Sequence, residues 1–174
     1  MKKHISGRGI YDLVPHDKEI VGLEIGVDIG DTADFMLENL PMLTLHGIDP
    51  YLGYLDWNGS DLDQSQRNWC EKVASDVLSQ YGERYILHKQ LSDDAAAEFQ
   101  DESFDYIFID GLHTYEQVLK DCENFYSKLK PGGVFAGHDY RAIEGVRKAA
   151  DEFAAKVNAK ISETDIDVWY WVKQ

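Results

Sequence analysis

Glu24-Ile25-Gly26-Val27-Asp28-Ile29-Gly30 decides the fold of this 174-residue chain. The stretch follows an apolar run, Ile20-Val21-Gly22-Leu23, and leads into a helix-like segment from Thr32 to Leu40. An acid, a glycine and a second glycine four positions later predict a tight strand-to-helix turn. Gly26 has no Cβ, so its backbone can approach a ligand closely. At the carboxyl end of a central strand, such a turn is where open α/β sheets bind nucleotides. The spacing is E-x-G-x-x-x-G, unlike the G-x-G-x-x-G of dinucleotide binders. It argues against a pyrophosphate and for a ligand with an adenosine but no phosphate.

Strand-like and helix-like segments alternate outward from this turn. Residues 19–25 read as the first strand and 32–40 as a helix stopped by Pro41. Thr44 to Ile48 reads as the second strand, ended by Asp49-Pro50, and residues 51–62 as a loop. Trp69, Val73, Val77 and Tyr81 recur every four residues, which predicts one face of a helix. Tyr85 to Lys89 is the third strand. Ser92 opens a short helix with Asp93 and Asp94 in its first turn, where carboxylates suit the dipole. Phe104 to Ile109 is apolar enough for a strand buried on both faces.

Thr114-x-x-Gln117 predicts a capping box, ahead of the stripe Val118, Cys122, Phe125 and Leu129. Pro131-Gly132-Gly133 breaks that helix, and Val134 to Gly137 is the fifth strand. Ile143, Val146, Ala150, Phe153 and Val157 mark a further helix, and residues 159–163 and 167–173 a closing pair of strands. Alternation of this kind implies a doubly wound parallel sheet with helices on both faces. The short connection from Glu163 to Ile166 can join only antiparallel neighbours. One α/β domain over residues 1–174 is expected, with one antiparallel strand near the sheet edge.

The formal net charge is -15, with 44% hydrophobic and 28% charged residues. Nucleic-acid binding normally needs a basic face, so a DNA or RNA partner is not expected. Cys70 and Cys122 lie far apart and form no C-x-x-C pair, so neither suggests zinc or a redox motif. No apolar run approaches the roughly 20 residues that span a bilayer, and no membrane partner is expected. Met1 to Gly7 carries charge without a following apolar region, unlike a signal peptide, so a cytoplasmic location is expected.

The strand ends supply the candidate site. Asp49, 23 residues after Gly26, can accept hydrogen bonds from both hydroxyls of a ribose, or simply start a turn with Pro50. Glu24 can hold a cationic group or order the glycine loop. Ser92 can cap its helix, present its hydroxyl or N–H to a base, or both. Asp110, His138 and Asp139 follow strands expected to be neighbours, about 4.8 Å apart. They suit a divalent cation, magnesium or manganese, or a polar rim without metal. His113 is placed to act as a general base or to orient its loop. Tyr115 and Tyr140 can line the pocket, and Tyr51, Tyr54 and Trp57 can form a lid over it.

Together these motifs resemble the class I methyltransferases that use S-adenosylmethionine. They are most similar to the small group, methyltransferase family 24, with a D-G-x-H-x-Y segment and a later P-G-G…H-D-Y segment. Here those are Asp110-Gly111-Leu112-His113-Thr114-Tyr115 and Pro131 to Tyr140. Glu24 to Gly30 resembles the first cofactor motif, and Ile48-Asp49-Pro50-Tyr51 the second. The resemblance covers roughly residues 18–173. It implies a Rossmann-like seven-stranded sheet of order 3-2-1-4-5-7-6 and S-adenosyl-L-methionine as cofactor. It implies that Gly26 approaches the methionine part of the cofactor, Asp49 the ribose, and Ser92 with its neighbours the adenine. Glu24, Val27, Gly30, Pro50, Tyr51, Asp110 and Gly111 are further cofactor-binding candidates.

Metal-dependent relatives place a cation on strand-end acids matching Asp110, His138 and Asp139, and this chain differs in carrying His at the middle place. Many relatives also have a long N-terminal helical cap. Without one, substrate cover is expected from residues 51–62, the N-terminus or a second subunit in a homo-oligomer. The amine-methylating D/N-P-P-F/Y signature is absent from the end of the fourth strand, where Asp110-Gly111-Leu112-His113 stands. The expected activity is methyl transfer to a hydroxyl of a small molecule, with Asp110, His113 and His138 as catalytic candidates. The alternatives are an NAD-dependent oxidoreductase and a non-catalytic adenosyl-binding module.

Overall fold

The computed structural model describes residues 6–56 and 58–174. In chain order the helices are α1 (Ser6–Tyr11), α2 (Asp31–Asn39), α3 (Gln64–Leu78), α4 (Ser92–Ala95), α5 (Tyr115–Phe125) and α6 (Glu144–Lys156). The strands are β1 (Ile20–Ile25), β2 (Leu43–Ile48), β3 (Tyr54–Leu55), β4 (Asp61–Leu62) and β5 (Tyr85–His88). They continue with β6 (Phe104–Ile109), β7 (Leu129–Gly137), β8 (Ser162–Glu163) and β9 (Trp169–Val172).

Seven strands form one sheet in the order β5-β2-β1-β6-β7-β9-β8. Leaving out the β3–β4 hairpin, this is the Rossmann-like order 3-2-1-4-5-7-6 that the resemblance implies. The β5, β2, β1, β6 and β7 neighbours pair in parallel, and β9 runs antiparallel to both β7 and β8. No helix of the described residues is long and apolar enough to cross a membrane.

The pleat sorts side chains into two cores. Leu23, Ile25, Ile107 and Ile109 pack with Val118, Cys122, Phe125 and Phe153 of α5 and α6. Leu45, Tyr106 and Phe108 pack on the other face with Ala33, Met36 and Leu37 of α2 and with Cys70, Ala74 and Leu78 of α3. Two glycines make room for tyrosines on this second face. A Cβ at Gly22 would overlap the Tyr106 ring, and one at Gly47 would overlap the Tyr85 hydroxyl. Each ring lies over the backbone of a neighbouring strand, where only a glycine leaves the volume.

Several local expectations are corrected. The buried face of α3 is Arg67, Cys70, Ala74 and Leu78, one position round from the expected stripe, and Trp69 is 60% exposed. Residues 51–62 contain a hairpin, pairing Tyr54 with Leu62 and Leu55 with Asp61. Its turn closes through Gly59 N–H to the Asp56 carbonyl, 2.9 Å, with Gly59 at φ 80. Asp63 then caps α3 in a full capping box with Gln66. Pro131-Gly132-Gly133 lies within β7, because α5 has already ended at Phe125. The register with β6 jumps there, from Phe104↔Leu129 to Tyr106↔Val134, because proline lacks a ladder donor and Gly132 turns at φ 79.

Candidate active site

The strand ends of the sheet are stitched to one another. Gly26 N–H donates to the Ile48 carbonyl at 2.9 Å, Asp110 N–H to Ile25 at 2.8 Å, and His138 N–H to Ile109 at 3.1 Å. The loops after β1, β6 and β7 are thereby fixed around a cavity of about 840 Å³. The β3–β4 hairpin and the first turns of α3 complete its wall through Gly53, Tyr54, Leu62, Gln66 and Trp69. Such a volume suits a small-molecule ligand.

Gly26 is at φ 91, and a Cβ on it would overlap the Asp110 carbonyl oxygen. The close approach that requires glycine is therefore to the neighbouring loop. Gly30, at φ 84, opens α2 against Leu78 and does not line the cavity. Val27, Pro50, Asp110 and Gly111 do line it.

Asp49 is 4% exposed and accepts hydrogen bonds from three backbone groups: Val27 N–H at 3.1 Å, Asp28 N–H at 3.0 Å and Tyr51 N–H at 2.8 Å. Arg67 adds bonds to Oδ1 and Oδ2 at 3.1 and 3.0 Å, and reaches Asp28 at 2.7 Å. Asp49 thus spends its lone pairs within the protein, tying the glycine loop to α3. The Arg67 guanidinium also lies over the Tyr51 and Tyr54 rings at 5.4 and 5.7 Å. Tyr51 is 1% exposed and forms core beneath the cavity. Its hydroxyl donates to the Asp28 carbonyl at 3.1 Å.

Glu24 is buried, and its Oε2 has no hydrogen-bond partner among the described residues. Burial, then the charges of Asp110 and Asp49, raise its carboxyl well above the usual range. A cationic group arriving at the glycine loop would favour the ionised form of this carboxyl.

Acids and imidazoles converge at the ends of β6 and β7. His113 Nε2 is 3.0 Å from Asp139 Oδ2 and 3.4 Å from Asp110 Oδ1. Its Nδ1 faces Asp56 of the hairpin at 3.7 Å. Burial opposes a charge on this ring, but hydrogen bonds to Asp110 and Asp139 outweigh it and lift the pKa to about 10. Hydrogen bonds from His113 and His138 hold Asp139, at φ 58, below the usual carboxylate range.

Ligand atoms of Asp110, His113 and Asp139 lie within 4.8 Å of one another, a spacing that can hold a metal ion. His113 here takes the place expected of His138. His138 Nδ1 sits 3.2 Å from Asp139 Oδ1 and 4.0 Å from Asp110 Oδ1, with Nε2 on the Ile166 carbonyl at 3.2 Å. Two carboxylates and an imidazole suit magnesium or manganese.

Ser92 is the first residue of α4 and does not cap it; Leu91 holds that place. Its hydroxyl instead donates to Asp121 Oδ1 at 2.6 Å. Gln117 donates to Asp121 Oδ1 at 3.0 Å and to Ser92 Oγ at 3.2 Å. The expected capping box is therefore half made: Thr114 accepts from Gln117 N–H at 3.3 Å, while the Gln117 side chain goes to Asp121. Asp121 is 1% exposed, and burial raises its carboxyl to about 6.

Tyr115 and Tyr140 are drawn away from the cavity to Glu152 and Asp151 of α6, each at 2.6 Å. Of the expected lid, Tyr54 lines the cavity, and Trp57 lies outside the described residues. The sequence reading overlooked Arg67, Asp56 and Asp121. Asp121 had left a signal: it stands at i+3 from Val118, on the buried stripe.

A family model described as a methyltransferase domain matches residues 23–140. An uncharacterised protein of Acanthamoeba polyphaga mimivirus is 28% identical over 147 residues, covering 81% of this chain and 62% of that protein. One of Sinorhizobium fredii is 28% identical over 92 residues, 51% of this chain and 10% of that protein. The chain thus spans less than two thirds of the length of either relative.

A Staphylococcus aureus crystal structure, provisionally described as a caffeoyl-CoA O-methyltransferase, is similar at TM-score 0.71. It is 14% identical, over 100% of this chain and 85% of that one. The O-methyltransferase NovP is similar at TM-score 0.68 and 20% identity, over 98% and 75%. A precorrin 8w decarboxylase of Methanobacterium thermoautotrophicum is similar at TM-score 0.64 and 13% identity, over 95% and 87%. At these identities the likeness is one of fold.

Proposed function

Because the chain belongs to this methyltransferase-domain family, we propose that it transfers the methyl group of S-adenosyl-L-methionine to a hydroxyl of a small molecule. The charge of the cavity wall carries the reading. Glu24, Asp28, Asp31, Asp49, Asp93, Asp110, Asp121 and Asp139 line it, against Arg67 as the one Lys or Arg side chain of the described wall. An acidic wall attracts a sulfonium and an α-ammonium and repels a pyrophosphate. It therefore disfavours the oxidoreductase alternative.

The unpaired Glu24 carboxyl suits the cationic part of the donor, and the Ser92–Asp121 group its base. S-adenosylmethionine supplies an electrophilic methyl, and the protein's task is to hold the acceptor oxygen in line with it. Asp110, His113 and Asp139 are the groups that deal with the acceptor's proton. Asp110 and Asp139 favour the imidazolium form of His113, which must lose its proton before it can act as a base. Asp110, His113 and Asp139 would hold a magnesium or manganese ion, whose chemistry is to acidify and orient a bound hydroxyl. Such an ion competes with the His113 proton for the same carboxylates. The assembled acid–imidazole group favours an enzyme over a non-catalytic module. The O-methyltransferases among the similar folds favour a hydroxyl acceptor.

The hairpin and Trp69 flank the mouth and supply cover for a small acceptor. A second copy of the chain completes the cover in our reading. Screening hydroxylated small molecules for S-adenosylhomocysteine release tests the activity. Absence of S-adenosylmethionine binding to the folded protein in calorimetry would remove the proposal.

A further inference from the structure

The β3–β4 hairpin buries its acid and exposes its leucine. Leu55 is 66% exposed, whereas the neighbouring Asp56 keeps only 17% of its side chain in solvent. A charge turned inward beside an outward leucine runs against the hydrophobic effect, so the inner place calls for a reason. It faces His113, with Asp56 Oδ1 3.7 Å from Nδ1. The hairpin is held there. Asp56 N–H donates to the Ser60 carbonyl, and the Asp56 carbonyl accepts from Gly59 N–H, each at 2.9 Å. Gly53 N–H donates to Gln64 Oε1 of α3 at 3.1 Å, and the Arg67 guanidinium lies over the Tyr54 ring. His113 Nδ1 is buried and has no hydrogen-bond partner among the described residues, while Nε2 is engaged between Asp139 and Asp110. A buried ring N–H without an acceptor is unfavourable, and a bond to Asp56 needs an approach of only about 0.5–1 Å.

We propose that Asp56 is the positioning residue of His113: it accepts the Nδ1 hydrogen and so keeps Nε2 aimed between Asp110 and Asp139. The inference rests on the role given to His113 above. Which ring nitrogen of a histidine is free to work is set by the hydrogen bond that the other makes. A histidine that ligates an ion through one nitrogen almost always donates its other N–H to a carboxylate, a carbonyl or water. The bond engages Nδ1 alone, so it persists whether Nε2 carries a proton or meets an ion. It also ties the wall that covers the acceptor to the group that works on it, because Asp56 belongs to the hairpin and His113 to the loop after β6.

The test is nuclear magnetic resonance of protein carrying isotope-labelled histidine, paired with manganese titration. It is run on the wild type, Asp56→Ala and Asp56→Asn, each checked for fold by circular dichroism, with the His113 ring signals assigned by His113→Gln. The wild type should show a His113 Nδ1–H proton shielded from exchange with water. Asp56→Ala should lose that proton and bind manganese about 10- to 100-fold more weakly. Asp56→Asn, whose carbonyl still accepts, should restore the proton and most of the affinity. A proton equally shielded in Asp56→Ala, or missing from the wild type, would overturn the proposal and leave the methyl-transfer reading intact. So would an Asp56→Ala variant that binds manganese as tightly as a wild type that binds it. A wild type that binds no manganese but shows the Asp56-dependent proton would remove the ion from the site and sustain the positioning role. Absence of S-adenosylhomocysteine binding to the wild type would overturn the donor reading and this inference with it.

Discussion

Arg67 grips both oxygens of Asp49 from a single guanidinium nitrogen, at 3.1 and 3.0 Å, with each side chain 6% exposed. The pair holds the loop after β1 against α3, and Asp28 is drawn into it at 2.7 Å. Removing the cation strands a buried carboxylate. Arg67→Met should therefore cost about 3–5 kcal/mol in urea unfolding. Arg67→Lys should recover little, because a point charge cannot bridge Asp28 and Asp49 as the planar fork does. A loss below 1 kcal/mol in Arg67→Met would show that the pair is not what fixes the loop.

Two glycines at similar φ should respond differently to alanine. Gly132, at φ 79, has nothing within 4 Å of a Cβ, so only backbone strain of about 1–2 kcal/mol is expected. At Gly26 the same strain is joined by overlap with the Asp110 backbone. Gly26→Ala should lose several-fold more stability and weaken S-adenosylhomocysteine binding. Equal effects of the two substitutions would mean that the loop after β6 can move aside.

His113→Gln should lower kcat by roughly 10²–10⁴ while leaving S-adenosylhomocysteine affinity within a few-fold. His138→Gln should cost less, because one ring nitrogen is committed to the Ile166 carbonyl. The reverse order would exchange the two roles.

Manganese titration of the purified protein should give a binding isotherm that Asp139→Asn abolishes and His138→Gln weakens less. Retention of the isotherm in Asp139→Asn would place the ion elsewhere.

The His46–His88 pair gives stability a pH dependence. His46 Nδ1 and His88 Nε2 share one proton at 2.9 Å, among Phe99 and Phe104. Burial and then the neighbouring His88 lower the His46 pKa from its ordinary 6.5. A lowered folded pKa means that the unfolded chain binds the proton more readily. The contribution is complete above pH 6.5 and is lost as pH falls through the folded value. Urea midpoints should drop on acidification, and His46→Phe should flatten that part of the curve. A wild-type slope unchanged in His46→Phe would assign the acid sensitivity to other groups.

The sheet was legible because parallel strands buried on both faces leave continuous apolar runs such as Phe104 to Ile109. The acids after them were legible because a strand end has only one place to put them. What escaped were charges that the fold buries. Arg67 sits on the inner face of α3, and a four-residue rule that counts only apolar side chains skips it and small Ala74, sliding the stripe onto Trp69, Val73 and Val77. Gln117 had the spacing of a capping partner, but a buried carboxylate four residues on is a stronger attraction than a backbone N–H. The hairpin at Tyr54 and Leu62 escaped because two-residue strands carry almost no periodicity.

Gly22 with Tyr106, and Gly47 with Tyr85, make neighbouring strands of the sheet share volume between residues far apart in sequence. Neither member can drift alone. A relative that carries alanine or valine in place of Gly22 should carry a smaller residue in place of Tyr106, and the same compensation should link Gly47 to Tyr85. Divergence in this family should therefore proceed at these positions by paired steps, leaving a covariation signature between β1 and β6 and between β2 and β5 even where every catalytic group has changed.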